Sequence, residues 1–150
     1  MRRAALIPLA GLLLAGCGFM QVGERPIPSV AGAVATTAWQ AQDVSQVTEE
    51  EAEAGLTSPE AYLAFVVSFA EANGGPPGEL RSGILGRDGD EAIAYLQQPN
   101  SGERSELLAY DARLTMERRD NGTWTLTALE TREACAVPLT NGSCGDNSGG

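Results

Sequence analysis

Histidine and lysine are both absent from this chain of 150 residues. Without histidine there is no imidazole general base, no Ser-His-Asp or Cys-His triad, and none of the usual zinc sites. Positive charge is scarce too: ten arginines stand against 20 acids, a formal charge of −10. That balance argues against broad contact with a phosphate backbone, so no nucleic-acid partner is expected. Gly-x-Ser-x-Gly, the phosphate-binding glycine loop and the metalloprotease motif are missing as well. No catalytic residue, metal ligand or cofactor is therefore expected. What is present is ordinary globular material for about one domain, 43% hydrophobic and 20% charged.

The chain opens on a targeting pattern. Arg2 and Arg3 precede an apolar run, Ala4 to Ala15, interrupted by Pro8 and Gly11. Twelve residues fall short of the roughly 20 that a spanning helix needs, but they fit the apolar region of a signal peptide. The run ends in Leu14-Ala15-Gly16-Cys17, which resembles a bacterial lipobox. The resemblance covers residues 1–17 only. It implies cleavage before Cys17, diacylglycerol on the Cys17 thiol, and acylation of the new amino group. Several acyl chains hold a protein firmly where one binds only marginally. Gly18 follows the cysteine, where an Asp would be similar to an inner-membrane retention signal. The implied place is the outer membrane of a diderm, or the outer face of a monoderm's plasma membrane. Loss of residues 1–16 leaves eight arginines against 20 acids, net −12. Such a surface is repelled by anionic head groups, so the lipid must do the anchoring.

Cysteine arithmetic agrees with export. Of the three cysteines, assigning Cys17 to lipid leaves Cys135 and Cys144. They enclose a short loop with Pro138 and Asn141-Gly142, which can turn the chain back. A structural disulfide is expected there, worth about 2–3 kcal/mol on the loop-entropy model. The spacing is not Cys-x-x-Cys, and two thiolates alone do not complete a zinc site.

Composition divides the chain into four stretches: a signal peptide (1–16), a lipidated cysteine with a flexible tether (17–44), a small domain (45–144) and a disordered tail (145–150). The tether holds Pro26, Pro28 and scattered Gly and Ser, with no sustained period. Loose, it spans about 30 Å on average and under about 100 Å extended. Trp39 is expected to dock on the domain rather than touch a partner. Residues 46–54 read as a short acidic helix whose glutamates face solvent. A second helix is expected over 59–73, with Ser58 as cap, Pro59 at the first position and Asn73-Gly74-Gly75 as stop. Tyr62, Phe65, Val66 and Phe69 line one face.

Strands occupy the rest of the domain. Residues 82–86 form a short one. Residues 91–98 read as strand or helix, and strand is favoured because the segments C-terminal to them are strand-like. Asp88-Gly89-Asp90-Glu91 lacks the ligand spacing of a calcium loop and reads as a turn. Residues 105–118 and 123–134 alternate as a hairpin around Asp120-Asn121-Gly122. A three-residue loop with Gly122 left-handed pairs Met116 with Leu126 and Leu114 with Ala128, keeping both apolar faces together. The expected fold is therefore α+β: one or two N-terminal helices on a three- to four-stranded antiparallel sheet, ending in a hairpin and a disulfide loop.

The function expected from these features is a non-catalytic, membrane-anchored envelope lipoprotein that binds another protein as an accessory factor. A small-ligand or lipid-binding module is the alternative and needs a cavity between helix and sheet. A hydrolase of cell-wall or lipid substrates needs carboxylates converging in a cleft.

Overall fold

The computed structural model describes residues 24–73, 79–100 and 104–145. The expected signal peptide and Cys17 lie outside the described residues, as does the tail beyond Gly145. Element order is β1 (Ala35–Thr36), β2 (Gln40–Gln42), α1 (Ser45–Ala54), α2 (Pro59–Ala72), β3 (Arg81–Asp88), β4 (Glu91–Pro99), β5 (Leu107–Arg118), β6 (Trp124–Cys135), β7 (Leu139–Thr140) and β8 (Ser143–Cys144).

The helices start and stop where local chemistry dictates. Ser58 is extended (φ −149°, ψ 156°), and its hydroxyl accepts from Ala61 N at 3.1 Å. Pro59 opens α2, where a missing amide costs nothing. Asn73 closes it, donating from Nδ2 to Phe69 O at 2.8 Å. Asp43 holds Ser45 N and Oγ at the start of α1 (3.0 and 2.8 Å). Gly55 ends α1 at φ 59°, ψ 48°, a left-handed conformation that glycine adopts without strain.

The sheet corrects the expected fold class. The described residues are mostly β, with 45% of them in strands, and the six-stranded antiparallel sheet curls into a half-barrel served by two short helices. The order is β1-β6-β5-β4-β3, with β2 also on β6. Two causes are visible. The first is that the expected tether contributes strands. Ala35 and Thr36 pair with Cys135 and Ala134, and Gln40, Ala41 and Gln42 with Thr131, Glu130 and Leu129. Residues 24–44 are thus laid on the domain rather than hanging free. The second is length and bulging: β5 and β6 have 12 residues each. Leu85, Leu108 and Thr127 are extra residues in the β3–β4 and β5–β6 pairings. Each bulge bends its strand and adds twist.

The hairpin keeps its expected loop but only half its expected register. Arg119 N donates to Thr123 O at 2.7 Å around Asp120-Asn121-Gly122, and Gly122 sits at φ 86°. Met116 faces Leu126, whereas Leu114 faces Leu129 instead of Ala128. The bulge at Thr127 shifts the register, and its hydroxyl donates to Thr115 O at 3.2 Å. Residues 91–98 fall in β4 as favoured, and Asp88–Glu91 is the β3–β4 turn.

The core lies between the helices and the sheet. Tyr62, Leu63 and Val66 of α2 and Val47 of α1 meet Ala92, Ala94, Leu96, Leu114, Met116, Trp124 and Leu126. Tyr62, Leu114 and Met116 are wholly buried, so this space is filled.

Candidate functional site

The site grows from the disulfide end of the sheet. Cys135 ends β6 and Cys144 ends β8, and the two are joined, with Cα atoms 5.2 Å apart. The β7–β8 ribbon between them turns on Asn141 (φ 52°) and Gly142 (φ 81°). A two-residue hairpin loop needs positive φ at both positions, which Asn-Gly supplies. Two of the three sequence-predicted site residues are therefore brought together as expected. The third, Cys17, lies outside the described residues.

Beside the disulfide runs a groove of about 530 Å³. Its walls include Thr37, Gln40, Arg104, Tyr110, Thr131, Arg132, Glu133 and Ser143. The strap of residues 24–44, β6 and the ribbon each supply part of it. Its charges are already answered. Arg104 Nη1 lies 3.2 Å from Glu133 Oε2, and Arg104 Nη2 donates to Cys144 O at 3.5 Å. Arg132 Nε donates to Asp111 Oδ2 at 3.0 Å, and its guanidinium sits 4.4 Å over the Trp39 ring. Trp39 is docked on the domain by this cation–π contact. Behind Arg132, Asp111 is 2% exposed, and its other oxygen accepts from Gln97 Nε2 at 3.0 Å. The same Gln97 nitrogen donates to Pro28 O at 3.0 Å. One carboxylate, one phenol and several hydroxyls line the groove. With Glu133 engaged by Arg104, the groove offers hydrogen bonding and a ring edge rather than a nucleophile with its base.

A second buried carboxylate lies elsewhere. Glu51 was expected on a solvated helix face, yet it is 3% exposed. Tyr62 Oη donates to Oε2, Thr125 Oγ1 donates to Oε1, and Arg119 Nη2 donates to Oε1 at 2.8 Å. Burial pushes the Tyr62 phenol well above its ordinary range, and the bond to Glu51 and its charge push the same way. Tyr62 thus stays protonated and acts as a donor. The arrangement ties α1, α2 and the β5–β6 hairpin together. A signal for it was present: Val47, four residues earlier on α1, is buried, and that spacing puts Glu51 on the same face.

The large exposed apolar side chains sit on segments whose backbone lies near the disulfide. Val34 is 62% exposed, Tyr110 41% and Leu139 40%. Val34 N donates to Cys135 O at 2.8 Å, Tyr110 pairs with Glu133, and Leu139 pairs with Cys144. Among the described residues no three His, Cys, Asp or Glu side chains gather as a metal site. No described helix is long and apolar enough to cross a membrane. Compared with protein families, curated proteins and solved structures, the chain matches none.

Proposed function

We propose that the protein is a membrane-anchored envelope lipoprotein whose small domain binds another protein as a non-catalytic accessory factor. The observation that carries the anchor is the cysteine count. Cys135 and Cys144 are consumed by their disulfide, which leaves Cys17, the last residue of the lipobox-like Leu14-Ala15-Gly16-Cys17, as the odd thiol of the chain. Lipid on Cys17 holds the chain at the outer membrane of a diderm or the outer face of a monoderm's plasma membrane. The binding role draws on Val34, Tyr110 and Leu139, whose apolar surface stands exposed on segments near the disulfide.

The test is crosslinking in cells followed by mass spectrometry, with Cys17→Ser as the unanchored control. One partner captured only by the anchored chain is the expected result. Tyr110→Ala with Leu139→Glu abolishes its capture while stability changes by no more than about 0.5 kcal/mol, since both side chains are surface groups. Equal capture by the Cys17→Ser chain, or none by either, contradicts the proposal.

The groove supports a second reading, a small-ligand module. The space between helix and sheet is filled by Tyr62, Leu114 and Met116, which leaves the polar groove of about 530 Å³ as the place for a ligand. Its chemistry suits a small neutral polar molecule. Protection of Tyr110 from iodination by such a molecule favours this reading, and unchanged iodination across a panel of them removes it.

A further inference from the structure

We infer that the folded domain is held against the bilayer on a leash of at most seven residues, so that its partner is one that reaches the membrane surface. The inference rests on the lipid anchor at Cys17 proposed above, together with the contacts that fasten the chain from Glu24 onward.

The strap is fastened along its whole length. Glu24 lies against Arg113, with 3.4 Å from Oε1 to Nε. Arg25 N donates to Leu85 O at 2.8 Å, and its guanidinium donates to Ile84 O at 2.6 Å. Pro28 O accepts from Gln97, Val34 N donates to Cys135 O, and Thr37 N donates to Glu133 O at 3.0 Å. Then β2 pairs with β6. These contacts fix residues 24–42 to β3, β5 and β6 and to the buried Gln97–Asp111 pair. Only the steps from Cys17 to Glu24 are left to separate anchor from domain. Seven residues fully extended reach about 25 Å. A chain loose from 17 to 44 reaches about four times as far. A domain of this size is roughly 30 Å across. The leash is therefore shorter than the domain is wide, and the domain can roll on the surface and stand no more than about 25 Å clear of it. Glu24 pairs with Arg113 of β5 and Arg25 donates to Leu85 of β3, so these two strands are the ones fastened nearest the anchor.

The experiment reads distance from the bilayer. The lipidated protein, carrying a donor dye at Asp88→Cys in the exposed β3–β4 turn, is placed in phosphatidylcholine vesicles with an acceptor on a lipid head group. A second protein carries 20 extra Gly and Ser residues between Gln21 and Val22, raising the average separation from roughly 15 Å to roughly 29 Å. Circular dichroism confirms that both fold alike, since the insertion precedes the domain. Intact mass first establishes acylation at Cys17. Strong transfer that falls roughly twofold or more on insertion supports the leash. An acylated protein whose transfer is weak and indifferent to the insertion overturns the leash and leaves the anchor standing. An unacylated protein that stays off the vesicles overturns the anchor itself.

Discussion

A carboxylate 3% exposed must have its charge answered, and Glu51 is answered by Tyr62, Thr125 and Arg119. Tyr62→Phe removes one donor and leaves a buried oxygen short of a partner. The expected loss is about 1–3 kcal/mol in urea unfolding. The same tyrosine gives a pH dependence. Its folded-state pKa is raised above the ordinary 10.0 because burial, then the bond to Glu51, disfavour the phenolate. Its contribution is therefore complete below pH 10 and is lost as pH rises toward the folded value. Tyr62→Phe flattens the alkaline limb of the stability curve; an unchanged limb contradicts this assignment. At the other buried carboxylate, Arg132→Ala leaves Asp111 with Gln97 alone. Uncovering such a charge costs about 3–5 kcal/mol when fully buried. Arg132 is 23% exposed, so the lower end of that range is expected, with Trp39 fluorescence shifting as its cation leaves. In the sequence Asp111 is one polar position of the alternating 105–118 strand, with nothing local to mark it as buried. Its partner Gln97 is also held by Pro28 O, 69 positions from Gln97, which no local pattern reports.

Among elements, those with side-chain signals were readable and those built from backbone alone were not. Ser58, Pro59 and Asn73 mark α2 because each acts on neighbours within one turn. Asn121-Gly122 marks the hairpin because the loop needs the left-handed Gly122. The strands β1 and β2, of two and three residues, carry no alternation and are held by ladder bonds to β6. Nothing in Ala-Thr or Gln-Ala-Gln distinguishes such a strand from a linker. Their contribution is measurable. A chain begun at Asp43 loses both strands and the Pro28 contact, and is expected to lose at least about 2 kcal/mol at about 1 kcal/mol per bond. A free tether removed in the same way changes nothing. The disulfide belongs to this scale too. Cys135→Ser with Cys144→Ser is expected to cost about 2–3 kcal/mol and to free the β7–β8 ribbon beside the groove. Equal unfolding midpoints with and without reductant contradict that value.

For the whole molecule, packing of the N-terminal segment changes the geometry of function. With the lipid proposed at Cys17, a protein whose residues 24–42 are clamped to its own sheet would work beside that anchor. The curled sheet and its two helices form a filled body, and apolar surface is exposed on segments near the disulfide by Val34, Tyr110 and Leu139. The bulges at Leu85, Leu108 and Thr127 bend their strands and add twist to the curled sheet. The most direct test of the account is the intact mass of the protein extracted from its own membranes. The predicted chain begins at Cys17, carries diacylglycerol and acyl groups there, and gains two hydrogens on reduction of Cys135–Cys144. A chain that keeps residues 1–16, with a free thiol at Cys17, contradicts the anchor and the short leash with it.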